Sequence, residues 1–323
     1  MALYLTEADV RELLPMDRAI ECVEESFRAW ARGGALNRPR QRIFLPGLSL
    51  HYMAAAWQEE NLIGVKIYTV SRSGFRFLVL LYDAGSGEWL ALIEADHLGR
   101  IRTGAASGVA TKWLARAEAS RVGVVGSGRQ ARTQLEAVAK VRKVIEVKVY
   151  SRDPARRAEF AREMAGCLGV AVRAATSAEE AVSFAEVVIT ATNASVPVVR
   201  GDWLPPGTHV NAIGANMPER REVDDGTLAR AALVAVDSLE QAKIEAGDLI
   251  QGEAALRGGW GGVVELKDIV AGKRPGRSGA DEITLFKSTG LALWDVAAAG
   301  EVYRCARERG IGREMEIRSP GLA

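Results

Sequence analysis

A chain of 323 residues, 48% apolar and 26% charged, has enough material for two domains with sizeable cores and falls outside the disordered and fibrous classes. Its 42 Lys and Arg against 41 Asp and Glu leave a net charge of +1, so no overall field draws it to nucleic acid or an anionic membrane, and any anion site must be local. Cys22, Cys167 and Cys305 are too scattered for a disulfide framework or a zinc knuckle; with an acidic start unlike a signal peptide and no apolar run of membrane-spanning length, they predict a cytoplasmic protein.

Residues 4–33 read as helical. Thr6 is placed to cap a first helix containing Glu7 and Asp9, and Ile20, Val23, Phe27 and Trp30 recur at helical spacing before Gly33-Gly34 ends the run. Short runs of β-formers at 43–45, 50–53, 62–68, 77–82 and 89–93, split by turn signals such as Asp83-Ala-Gly-Ser-Gly87, predict an antiparallel meander. From Asp96 to Leu114 small residues take over at helical spacing (Ala105, Ala106, Val109, Ala110), the pattern of a helix packed closely on its neighbour. Between Arg121 and Asp237 apolar runs alternate with helical stretches, with strands predicted at 122–125, 144–150, 170–173, 187–192, 209–213 and 233–236. Residues 238–247 and 283–309 read as helical, with glycine-rich 258–262 and basic 273–277 as loops.

The alternation suits a doubly wound parallel sheet with its ligand crevice at the carboxyl ends of the strands. Its opening stretch, Arg121-Val-Gly-Val-Val-Gly126-Ser127-Gly128-Arg129-Gln130-Ala131, reads as strand, turn and helix. In a dinucleotide-binding turn Gly126 makes the bend, Gly128 lets the backbone approach a pyrophosphate, and Ala131 lets helix and strand pack closely; the helix start near Arg129 points its unpaired N–H groups at the phosphates. Ser151 and Arg152 stand where a ribose is read. An arginine there accommodates a 2′-phosphate, so NADP is expected in preference to NAD, although Asp153 is close by. Thr192-Asn193 and Gly214-Ala-Asn216 fall at the ends of later strands.

Lys66 interrupts the strand-like run 62–68, either as a cleft-facing group that binds a carboxylate or moves a proton, or as an edge residue facing solvent. Arg38, Arg40 and Arg42 alternate along an extended stretch and form either a carboxylate clamp or a solvated edge. Arg102 and Thr103, ahead of the small-residue helix, are placed to hold an anion at its start or to cap it. His51, His97 and His209 have no metal-ligand spacing and no Gly-x-Ser-x-Gly elbow occurs, so neither a metal site nor serine hydrolysis is expected.

Taken together, Gly64-Val-Lys66, Glu94-Ala-Asp-His-Leu-Gly-Arg-Ile-Arg102-Thr103, Gly126-Ser-Gly-Arg-Gln-Ala131, Thr190-Ala-Thr, Pro206-Gly-Thr-His-Val-Asn-Ala-Ile-Gly214, Asp237, Glu245-Ala-Gly-Asp248 and Thr284-Leu-Phe-Lys-Ser-Thr-Gly290 resemble the ornithine cyclodeaminase and mu-crystallin family. The resemblance runs nearly the whole chain. It implies an α/β protein: a Rossmann-type doubly wound domain over 118–289, and an α+β substrate-binding and dimerisation domain over 1–117 completed by 290–323. It further implies hydride transfer between a nicotinamide, NADP or NAD, and the α-carbon of a small imino or amino acid, in a homodimer with no nucleic-acid or membrane partner. On it, Arg40 or Arg42 binds the substrate carboxylate, Lys66 is the active-site lysine, Met53 lines the substrate site, and Arg102 and Thr103 are the Arg-Thr pair serving substrate and cofactor. Two departures stand out. Asn216 replaces the catalytic aspartate of the cyclodeaminase, and His51 stands where that enzyme uses a glutamate to hold ornithine's distal amine. Both remove carboxylates, so a cyclic ketimine reductase is expected ahead of an ornithine cyclodeaminase, an alanine dehydrogenase or a non-enzymatic nicotinamide-binding protein.

Overall fold

Short runs of β-formers split by turn signals dominate residues 35–94, and they build a sheet. The computed structural model describes residues 2–316. Strand β1 (Ala2–Leu5) leads into α1 (Glu7–Leu13), where Thr6 and Asp9 exchange the two hydrogen bonds of a capping box, and then α2 (Met16–Arg32). Tyr4 and Leu5 thus belong to a strand and not to the expected helix, because they pair in parallel with a later strand over Leu92 and Ile93. β2 (Ala35–Asn37), β3 (Gln41–Leu45), β4 (Leu48–Trp57), β5 (Leu62–Ser71), β6 (Gly74–Asp83) and β7 (Trp89–Glu94) form the predicted meander. α3 (Asp96–Leu114) follows.

The second half alternates strand and helix: β8 (Arg121–Val125), α4 (Arg129–Val141), β9 (Glu146–Tyr150), α5 (Pro154–Leu168), β10 (Ala171–Ala174), α6 (Ala178–Ser183), β11 (Val187–Thr190), β12 (His209–Ala212), α7 (Asp225–Arg230), β13 (Ala231–Val236), α8 (Leu239–Glu245), α9 (Gly247–Gln251), β14 (Val263–Glu265), α10 (Leu266–Val270) and β15 (Ile283–Lys287). α11 (Ala292–Arg309) and β16 (Arg313–Met315) close the described chain.

The chain divides between 102 and 103 and again between 290 and 291, so the first break lies inside α3 and not near 117 as expected. The physical reason is that the later turns of α3 pack within the second unit: Thr111 Oγ1 accepts from the Asn211 amide, and a side chain at Gly104 would overlap the Thr133 carbonyl.

In the first unit the strands run β16-β1-β7-β6-β5-β4-β2, with β3 also on β4. α11 lies across β4 and β5 and meets α2, with Phe27 edge-on to Trp294 at 5.5 Å. In the second unit the parallel order is β10-β9-β8-β11-β12-β15-β13-β14. The chain winds outward from β8 through β9 to β10, then returns to β11 on the other side of β8, which is the switch point where such sheets take their ligands. β15 corrects an expectation: residues 283–287 are a strand between β12 and β13, not the start of a helix. All five are buried, so the stretch has no alternation to distinguish a fully covered strand from a buried helix. Among the described residues no helix is long and apolar enough to cross a membrane.

Candidate functional site

Strand register assembles the first cluster. Met53 lies opposite Lys66, and Lys66 opposite Val79; two residues along, on the same face, Arg42, His51, Tyr68 and Phe77 form one cross-strand row through β3, β4, β5 and β6. Lys66 is therefore on an interior strand and only 4% exposed, which removes the solvent-facing alternative. Arg40 and Met53 are buried too, Arg42 is half-buried, and Arg38 is exposed, so the three alternating arginines do not act as one set.

Small residues bring α11 down onto this face. A side chain at Gly64 would press on Leu80 and Val296, and one at Gly300 would overlap Leu62. The close approach sets Asp295, an acid inside a helix otherwise rich in buried Ala, against Lys66: Nζ donates to Oδ1 at 2.7 Å, and Arg102 Nε donates to the same oxygen at 3.0 Å. Asp295 Oδ2 is buried and has no hydrogen-bond partner among the described residues. A side chain at Gly99 would sit 2.9 Å from Lys66 Nζ, so this turn of α3 is bare where the ammonium lies. Asp295 and Gly99 were not picked out from the sequence.

Burial pushes the Lys66 ammonium down to about 8, Arg102 acts in the same direction, Asp295 opposes both by charge and hydrogen bond, and Arg40 lowers it further. His51 is held at about 4 by burial and then by Arg42 and Arg40, so it is neutral at pH 7. Its Nε2 pairs with Ser49 Oγ at 2.8 Å, its ring stacks on Tyr68 at 4.6 Å, Tyr68 meets Phe77 at 4.8 Å, and Lys66 Nζ lies 5.4 Å from the Phe77 ring. Cations thus stand beside a flat, neutral aromatic row.

Arg102 and Thr103 lie in the second turn of α3 and not ahead of it, which corrects the idea that they share its N-terminus with an anion. That end is taken: Glu7 accepts from the backbone N–H groups of Asp96 and His97 at 2.6 and 2.9 Å.

The second cluster belongs to the parallel sheet. Gly126 has φ +116°, and a side chain there would overlap the Ala191 carbonyl, so the turn after β8 demands glycine and touches the loop after β11. Gly128 opens α4 with no side-chain cap and nothing within 4 Å of a would-be Cβ, leaving room for a pyrophosphate at the start of the helix. Ser127 is half-buried, Arg129 exposed, Gln130 half-buried and Ala131 fully buried against the sheet. Ser127 Oγ donates to Ser151 Oγ at 2.9 Å, which ties the first turn to the end of β9. Arg152 is exposed; Asp153 accepts from the N–H groups of Ala155 and Arg156 and so caps α5. Thr192 and Asn193 follow β11, and Gly214 and Asn216 follow β12. These residues fit a dinucleotide.

A doubly wound parallel sheet with a glycine turn of this geometry defines a dinucleotide-binding α/β protein. The profile of the ornithine cyclodeaminase/mu-crystallin family matches residues 2–310, and the chain belongs to that family. It is 38% identical to a Delta(1)-pyrroline-2-carboxylate reductase of Bacillus cereus over 79% of this chain and 81% of that one. Its fold is similar to that of the Thermococcus litoralis Delta(1)-pyrroline-2-carboxylate reductase in complex with NADH and L-proline, with a TM-score of 0.93 and 37% identity over 97% and 100% of the two chains. An archaeal alanine dehydrogenase dimer with bound NAD gives a TM-score of 0.92 and 34% identity over 98% and 99%.

Proposed function

We propose that the protein is a nicotinamide-dependent oxidoreductase that reduces the C=N carbon of a cyclic imino acid, a ketimine of the pyrroline-2-carboxylate type. The observation that carries this reading is the buried sheet face that holds Lys66 beside the neutral His51, Tyr68 and Phe77 row, with buried Arg102 of α3 and buried Arg40, just before β3, close enough to act on Lys66. An α-carboxylate finds cations there, and a flat ring finds an aromatic wall. A second ammonium, such as ornithine's distal amine, would meet Arg40, Arg42 and an uncharged His51, with Asp295 already engaged by Lys66 and Arg102. The pyrroline-2-carboxylate reductases among its relatives support the same choice.

The bound nicotinamide supplies the hydride. The cations orient the carboxylate and so present the α-carbon in one pose. Lys66 Nζ, an ammonium below pH about 8, keeps a proton at the substrate nitrogen. Asn216, an amide where the cyclodeaminase has an aspartate, cannot accept a proton at neutral pH, which suits reduction better than a cyclodeamination that needs a base.

NADP is the preferred cofactor on this reading, because the Asp153 carboxylate is committed to capping α5 while Arg152 stays exposed beside it. A second copy covers the outer face of the first sheet: Ile43, Leu45, Leu48, Tyr52 and Ile63 are 40–61% exposed there, an apolar surface that light scattering would show buried in a dimer. Three free cysteines suit a cytoplasmic setting.

The decisive experiment follows cofactor oxidation with pyrroline-2-carboxylate, and proline and ammonia formation from ornithine, in wild type and Asn216→Asp. Turnover of the imine without proline formation from ornithine is the expected wild-type result; the reverse would overturn the reading.

A further inference from the structure

Lys287, the last residue of β15, is fully buried, as are Asp248 and Glu222. Three ionisable groups without water are costly unless each is held, and here the holding has a direction. Lys287 Nζ donates to the Ala215 carbonyl at 2.5 Å and lies 2.8 Å from Asp248 Oδ2, off the hydrogen-bonding direction. Asp248 Oδ1 accepts from the backbone N–H groups of Glu222 and Val223 at 2.5 and 2.9 Å. The Glu222 carboxylate in turn accepts four donors. Oε1 takes the N–H and the hydroxyl of Thr192, both at 2.7 Å, and Oε2 takes the Thr190 hydroxyl at 2.8 Å and the Gly214 N–H at 2.6 Å.

The four Glu222 bonds and the Lys287 bond reach the end of β11 or the residues just after β11 and β12, and the two Asp248 bonds hold the backbone of Glu222 and Val223 in place. A side chain at Gly214 would overlap the Thr192 backbone, so the two loops lie against each other with Glu222 stitching them together. An apolar core of the same volume would stabilise the sheet as well or better; it would not take four donors from two strand ends. We infer that Glu222, Asp248 and Lys287 are positioning residues that lock the Thr190–Asn193 and Gly214–Asn216 loops into the shape the nicotinamide dinucleotide requires, and that they set Asn216 through the Ala215 carbonyl. Burial pushes the Glu222 carboxyl above its ordinary value and Asp248 adds to this, against the opposing pull of Lys287 and the Thr192 donors.

The inference rests on the nicotinamide-dependent reading. Its test is the Kd of NADPH and NADH, read by quenching of tryptophan fluorescence, beside kcat and the KM for pyrroline-2-carboxylate. In Glu222→Gln an amide N–H must face donors, so nucleotide Kd rises at least tenfold and kcat falls at least tenfold, with the KM for the imino acid changed less than twofold. Thr190→Val, which removes one donor and no charge, gives the same pattern at about threefold. Thr208→Val, which deletes a buried hydroxyl at the opposite end of β12, lowers Tm and leaves Kd and kcat unchanged. Folded Glu222→Gln and Thr190→Val proteins with wild-type Kd and kcat, differing only in Tm, overturn the inference. A wild type that binds neither nucleotide overturns the reading beneath it and this inference as well.

Discussion

Replacing Asp295 with Asn removes one charge from the Lys66 environment and little volume. At the 2.7 Å separation and an effective dielectric of ~20, the pair attracts by about 6 kcal/mol before relaxation. Opposite charges at such distances shift a pKa by about 1–3 units once water and side chains respond. The lysine starts at about 8 because burial, Arg102 and Arg40 already press it down. Without the carboxylate it falls to about 5–7, and at pH 7 most of the enzyme passes from a protonated to a neutral lysine. If the ammonium holds the substrate's proton, the basic limb of kcat/KM must move down by the same interval. The assay is kcat/KM for pyrroline-2-carboxylate from pH 5 to 9 in wild type, Asp295→Asn and Lys66→Arg. The expected result is a basic limb near 8 in wild type, displaced by at least one unit in Asp295→Asn and absent below pH 9 in Lys66→Arg. An Asp295→Asn enzyme whose activity drops uniformly, with its limb still near 8, would refute the coupling and leave Asp295 a packing residue.

Lys66→Ala should lower kcat by about 10²–10⁴-fold, the range typical of a lost proton donor, whereas Arg40→Ala should act mainly by raising KM; near-normal kcat in folded Lys66→Ala would make the lysine structural. Catalytic efficiency with NADPH should exceed that with NADH, and Arg152→Ala should reduce the difference by about tenfold; a wild-type preference for NADH ends that reading. Acid stability should reflect three histidines held neutral, His51 and His97 at about 4 and His209 at about 3, all by burial first. Between about pH 6.5 and 4 the unfolded chain binds more protons than the folded one, so stability falls as pH falls. The His209→Gln variant should lose roughly 3 kcal/mol less than wild type over that interval, and equal losses in chemical denaturation would contradict the assignment.

What the sequence made legible follows from how local the constraint is. The turn after β8 could be read because its geometry restricts residue type within six positions: Gly126 at φ +116° against the Ala191 carbonyl, Gly128 in the open, Ala131 under the helix. The meander was legible because its strands are runs of β-formers split by turn signals such as 83–87, while the register that decides which side chains share a face with Lys66 comes from the strand pairing. β15 was not, since a strand covered on both faces carries no period and runs through Ser288-Thr289-Gly290 toward a helix of equal apolarity. The small-residue helix was recognised over its whole length from Asp96, but Arg102 and Thr103 were placed ahead of it; Glu7, from a different element, supplies the cap that fixes its first turn at Asp96 and leaves those two residues in its second.

Asp295 marks the limit of such reading. Its partners Lys66 and Arg102 lie 229 and 193 positions away, and a lone acid among Ala and Val within a helix ordinarily signals a solvent face. What reverses that meaning is close approach: Gly64 and Gly300 let α11 settle onto β5, and Gly99 leaves the space an ammonium fills. None of the three glycines sits in a turn, so none carries a local signal of its purpose. A glycine inside a strand or helix weakens that element by about 1 kcal/mol, and three such weaknesses surrounding one Lys–Asp–Arg contact are compensated only if the contact itself is what the packing serves. The same reasoning separates Asp295 from Glu25, a surface acid of α2 that pairs with both Arg28 and Arg32 in half-exposed bridges and needs no glycine to reach them.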